Sequence, residues 1–128
     1  MAINLKEPSA DLFDHVAEQF AKSLTIRDSR GYLPNTDKPS QLRRFYDHLV
    51  QLDDRIKQVP ADFDVLLPDI RMLNAHIAYA HGRKLVSDKF RTQMQEVIRS
   101  IEGTPQTLHN ARLFFEASLG FLRAERND

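Results

Sequence analysis

Arg44, His48, Gln51 and Arg55 follow one another at steps of four, three and four residues, a spacing that sets them in one line along a helix. Two guanidinium groups, an imidazole and an amide with no carboxylate among them suit one task above others, which is holding an anion such as a phosphate chain. A second cationic group, Arg83 and Lys84 with Lys89 and Arg91, falls where one helical pattern ends and the next begins, and Arg43 adjoins the first stripe. Arg43, Arg44, Arg55, Arg83 and Lys84 on one surface, with Lys89 and Arg91 at its margin, would track phosphates by charge without reading base identity, although Arg43 has Asp47 at i+4 to pair with. The ordinary alternative is a solvated face that carries charge for solubility.

Other reactive residue types do not assemble into a recognisable motif. His76 and His81 are five apart and point to different sides of a helix, no His-Glu-x-x-His run occurs, and His15, His48 and His109 fall on separate patterns. No metal or other cofactor is therefore expected. The carboxylate pairs Asp53-Asp54 and Asp62 with Asp64, and Asp69, read as charge at helix ends. Gly82-Arg83-Lys84 lacks the frame of a phosphate-binding loop, and no serine sits in a nucleophile turn. With no cysteine, disulfides, thiolate metal sites and cysteine nucleophiles are excluded. The expectation is a protein that is not an enzyme.

The chain has 128 residues, 41% of them hydrophobic, which suits a single domain over residues 1–128. Formal net charge is zero, yet residues 71–99 hold six basic residues against two acidic ones. A neutral protein with one basic segment can still hold a polyanion locally. The N-terminus has no apolar run of signal-peptide kind, and no stretch approaches the roughly 20 apolar residues of a membrane span. A soluble, cytoplasmic protein with no membrane partner is expected.

Apolar residues recur at steps of three and four throughout, so the fold class is all-α, a compact bundle of about five helices. Helix one is expected from about Ala10 to Leu24 behind a Ser9 cap, with Leu12, Val16 and Phe20 inward. A long connection covers 25–36. Helix two runs from about Pro39 to Gln58 on the stripe Leu42, Phe45, Leu49, Leu52, Ile56. Helix three starts near Pro68, since proline suits a first turn, and stops at Gly82; Ala75, Ala78 and Ala80 would admit a close neighbour. Helix four follows a Ser87 cap on Phe90, Met94, Val97 and Ile101, and Gly103 ends it. Helix five opens at Thr104-Pro105. Its apolar residues cover so much of its circumference that it is either central or meets another chain, which leads to an expectation of dimers for the isolated protein.

Three blocks carry a family resemblance: SQLRRFYDHL (40–49), LLPDIRMLNAHIAYAHGRKLVSDKF (66–90) and LFFEASLGFLR (113–123). In this order and at these intervals they resemble the small helical subunit of the type III-A CRISPR–Cas effector, the Csm complex. Gln41, Leu42, Arg43, Phe45 and Tyr46 match the first block, with Arg44 where lysine is common. Ala75, Ala78, Tyr79, Ala80, Gly82 and Arg83 match the second. Phe114, Phe115, Glu116, Ala117 and Gly120 match the third, with Phe121 in place of the usual tyrosine. The resemblance spans 38–123 and leaves the first 37 residues aside.

It implies a non-catalytic RNA-binding subunit, stacked in several copies beside the backbone subunits, that cradles the duplex of CRISPR RNA and target RNA. RNA cleavage in such complexes is attributed to the backbone subunit, and DNase and cyclic-oligoadenylate synthesis to the large subunit. Arg43, Arg44, Arg55, Arg83, Lys84, Lys89 and Arg91 are the expected RNA contacts. Two alternatives stay open, a helical adaptor that binds only proteins and the equivalent small subunit of a type III-B complex; the first two blocks favour type III-A.

Overall fold

The computed structural model describes residues 3–128. Five α-helices make up the fold: α1 (His15–Ser23), α2 (Pro39–Gln58), α3 (Phe63–Gly82), α4 (Asp88–Arg99) and α5 (Pro105–Glu125), with no strand among the described residues. α5 is the central element. It packs along both α1 and α2, while α3 pairs with α4 and α2 closes against α3. Phe20, Phe45, Phe90, Phe114 and Phe115, drawn from α1, α2, α4 and α5, meet in the core with ring centroids 5.9–6.4 Å apart.

α2 occupies the residues its pattern predicts, because Pro39 takes the first position and all five stripe residues are buried. The other helices differ from expectation in informative ways. Helix one divides into a 3-10 turn (Ala10–Phe13) and α1, broken at Asp14, and Ser9 makes no side-chain cap bond. Leu12 and Ala17 are both buried. Five residues apart, they cannot share a face of one regular helix, and the break restores the register.

α3 begins at Phe63 rather than Pro68, so the proline sits inside the helix. Phe63 and Leu66 are buried, and their burial outweighs the hydrogen bond that proline cannot make. The carbonyl that loses a donor belongs to exposed Asp64. Of the three alanines, Ala80 is buried, Ala78 half-buried and Ala75 exposed.

Gly82 is the last helical residue of α3, not the stop. The left-handed position falls on Lys84, with φ 62°. Its amide bonds the His81 carbonyl at 2.9 Å and the Leu85 amide bonds Ala80 at 3.0 Å, the paired closure of a Schellman motif. A lysine held where glycine is favoured costs about 1 kcal/mol. Lys84→Gly should therefore raise unfolding stability by roughly that amount, read as a higher urea midpoint at unchanged slope.

Ser87 caps α4 as expected, accepting from the Phe90 amide at 3.2 Å. α4 ends at Arg99; Ile101 is buried beyond it and Gly103 lies in the following loop with φ 81°. Thr104 precedes α5 without a side-chain cap bond. The apolar surplus of α5 is absorbed within the chain: Leu108, Ala111, Phe114, Phe115, Leu119 and Leu122 are buried, and Leu113, Ala117 and Phe121 half-buried. The apolar surplus of α5 therefore no longer argues for the expected dimer. The long exposed apolar side chains of the helices lie on α3 instead, Val65, Met72 and Tyr79.

Candidate nucleic-acid interface

α2 and α3 form an antiparallel hairpin across a 3-10 turn at Pro60–Asp62. Their solvent-side edges meet where the His48 and His76 rings stack, 5.9 Å apart at 27°. One turn before His48 stands Arg44. One and two turns after His76 stand Tyr79 and Arg83. In an antiparallel pair these fall side by side, so Arg44 and Arg83 share one end of the edge and Arg55 lies toward the other, near Asp69.

A strap fixes this end. The Asp37 amide donates to the Leu85 carbonyl at 3.0 Å, and its carboxylate accepts from the Ser87 amide at 2.8 Å. The segment leading into α2 is thereby tied, two residues before the helix, to the turn that carries Arg83 and Lys84. Burial pushes the Asp37 carboxyl above the usual carboxylate range, although hydrogen bonds from Ser87 and Thr36 and the charge of Arg126 oppose the shift. Arg126, itself buried, donates to the Pro34 and Thr36 carbonyls and pairs with Asp128, closing the strap from the C-terminal side.

Among the described residues, Arg44, Arg55, Arg83 and Lys84 form no ion pair. All four are exposed. The edge thus carries unpaired cations at one end, two stacked imidazoles at its middle, and Arg55 with exposed Asp69 toward the other end.

The remaining three predicted contacts lie elsewhere. Arg43 points about 100° away from Arg44 around the helix. It pairs with Asp47 at 3.7 Å and lines a concavity with Tyr46, Glu116 and Arg123 on the α5 side. Lys89 lines a groove between α4 and α1, beside Gln19 and Ser23. Arg91 donates to His81 Nδ1 at 3.1 Å in the α3–α4 seam, while His81 Nε2 pairs with Asp88. Arg43 therefore leaves the expected surface, and Lys89 and Arg91 lie beyond the α2–α3 edge.

The α2–α5 seam answers the carboxylate question. The side chain of Asp53 is 2% exposed and gathers His109 Nδ1 at 3.0 Å, Arg112 at 3.0 Å and Lys57 at 3.2 Å, while Asp54 takes a second bond from Arg112. Burial works to raise the Asp53 carboxyl, but hydrogen bonds from His109, Arg112 and Lys57 outweigh it and hold it below the usual range. Tyr46 donates to Glu116 across the same seam and packs on Phe115. These contacts join the first and third sequence blocks, so the seam is structural. No group of three or more potential metal ligands gathers among the described residues, and no described helix is long and apolar enough to cross a membrane.

The family model described as Csm2 Type III-A matches residues 7–128. It thus takes in most of the N-terminal segment that the three blocks leave out, and it decides between the type III-A and type III-B readings. No curated protein and no solved structure matches the chain. The five-helix fold, the three blocks in order and a family match over nearly the whole sequence agree: the chain belongs to the Csm2 family, the small subunit of the type III-A Csm complex.

Proposed function

We propose that this subunit serves its complex as a non-catalytic RNA-binding element, laying the α2–α3 edge along the sugar–phosphate backbone of the guide–target duplex in the cytoplasm. Copies stack beside the backbone subunits in antiviral interference. The large and backbone subunits, the CRISPR RNA and the target RNA are its partners. The observation that carries this reading is that Arg44, Arg83 and Lys84 are exposed and form no ion pair among the described residues, at the end of the hairpin where antiparallel pairing puts Arg44 and Arg83 together. Three cations held together without carboxylates repel one another, and a polyanion relieves that repulsion. A surface of charge without base-specific groups suits a subunit that must accept any guide.

The test is a salt titration of RNA binding. The chain should hold short single-stranded RNA weakly and without sequence preference. Log affinity should fall against log salt with a slope of about −2 to −3, since three or four phosphate contacts each contribute about −0.7. Alanine at Arg83 and Lys84 should flatten the slope by about 1.4 units without loss of helicity, because both side chains lie beyond the core of α3. An unchanged slope would favour the protein-only adaptor.

A further inference from the structure

Tyr79 is placed as no core or seam residue is. The residue is 67% exposed on α3, one turn before Arg83. Arg83, one turn on, fixes its attitude: Nη1 donates to the phenol oxygen at 3.2 Å, and the guanidinium carbon lies 5.8 Å from the ring centroid. One turn back on α3 stands His76, stacked on His48 of α2, and exposed Met72 lies one turn further back. An aromatic ring left in water and braced by an otherwise unpaired arginine is a prepared contact surface. A protein segment covering it would also cover Arg44 and Arg83 and would have to bring carboxylates to both. A nucleotide brings a flat base for the ring and phosphates for the arginines together.

We propose that Tyr79 is a stacking platform for an unpaired nucleobase, so that the edge holds RNA by its bases as well as its charge. The inference rests on the RNA-binding reading above and adds the part of the nucleotide that the ring takes. Every base has a stacking face, so the contact adds affinity without sequence preference. Arg83 keeps its positive charge beside the same nucleotide and serves the flanking phosphate.

The experiment compares a short unstructured RNA with its abasic counterpart, equal in charge, binding to the full chain at low salt. The wild-type protein should prefer the base-bearing strand by roughly fivefold to tenfold. Tyr79→Ala should bring that ratio to near one while leaving the salt slope as it was. Tyr79→Phe should keep the preference and Tyr79→Leu should lose it. All three variants should fold, since the ring is outside the core, and far-ultraviolet dichroism checks this. Equal binding of the two strands by the wild type would overturn the stacking platform and leave the RNA-binding reading standing. Absence of binding to either strand would remove the RNA-binding reading and the platform with it. Tyr79→Ala that keeps the base preference but fails to enter the assembled complex would assign the ring to a protein neighbour and overturn the proposal.

Discussion

Replacing Arg44 and Arg83 together by glutamate is expected to lower the affinity for single-stranded RNA about 100-fold at low salt, since two phosphate contacts are lost and two repulsive charges gained. Both side chains are exposed and unpaired, so the fold should be unaffected. The informative control is the pair Arg43→Glu and Lys89→Glu, with the same change in net charge. Arg43 faces α5 and Lys89 faces α1. A surface that binds through its local arrangement loses little from that control, less than about threefold; binding by overall charge alone would lose equally from both pairs. Filter binding over a range of salt separates the two outcomes.

The largest effect on stability is expected at Asp53. Asp53→Ala removes a buried carboxylate that holds Lys57, Arg112 and the His109 ring, and should cost about 3 kcal/mol, the low end of the range for a broken buried pair because Lys57 and Arg112 keep access to water. Urea unfolding should show a lower midpoint at unchanged slope. RNA affinity of the folded fraction should be unchanged, because Asp53 lies on the α5 side of α2. The pH dependence has a fixed sign. The folded carboxyl is held below its ordinary 3.8, so its contribution is complete above that value and is lost as pH falls through the depressed one. The alanine variant should lack that acid-side decline. Asp37 contributes with the opposite sign: its carboxyl is raised by burial, so what it adds is complete below 3.8 and declines as pH rises through the raised value.

Much of this was legible in the sequence where local pattern and tertiary packing agree. α2 is the clearest case, with a proline at its first position and five stripe residues that are all buried. At Pro68 the local rule loses to two buried side chains one turn earlier, and no propensity shows which will win. Lys84 occupies a left-handed position for which glycine is the usual sign, so the stop of α3 was hidden one residue before Leu85, where Asp37 anchors the strap. Of the candidate edge, the exposed and unpaired state of Arg44, Arg55, Arg83 and Lys84 was readable from spacing and from the absence of acids in their stripes. Arg43 stands apart from them by helical angle, and the pairing with Asp47 at i+4 that its spacing suggests does form. The positions of Lys89 and Arg91 depend on how α4 lies between α3 and α1, which no local pattern encodes. Tyr79 was hidden by its neighbours: Ala78 and Ala80 on either side read as packing, and only the structure shows the ring turned outward.

The most direct measurement is RNA–protein crosslinking on the assembled complex carrying guide and target RNA, with the attachment sites on this subunit located by mass spectrometry. Crosslinks should fall on the first half of α2 around Arg44 and His48 and on the α3 end from Tyr79 to Lys84. Crosslinks confined to the α1–α4 groove beside Lys89, or an α2–α3 edge that joins only protein neighbours, would contradict an RNA-binding edge.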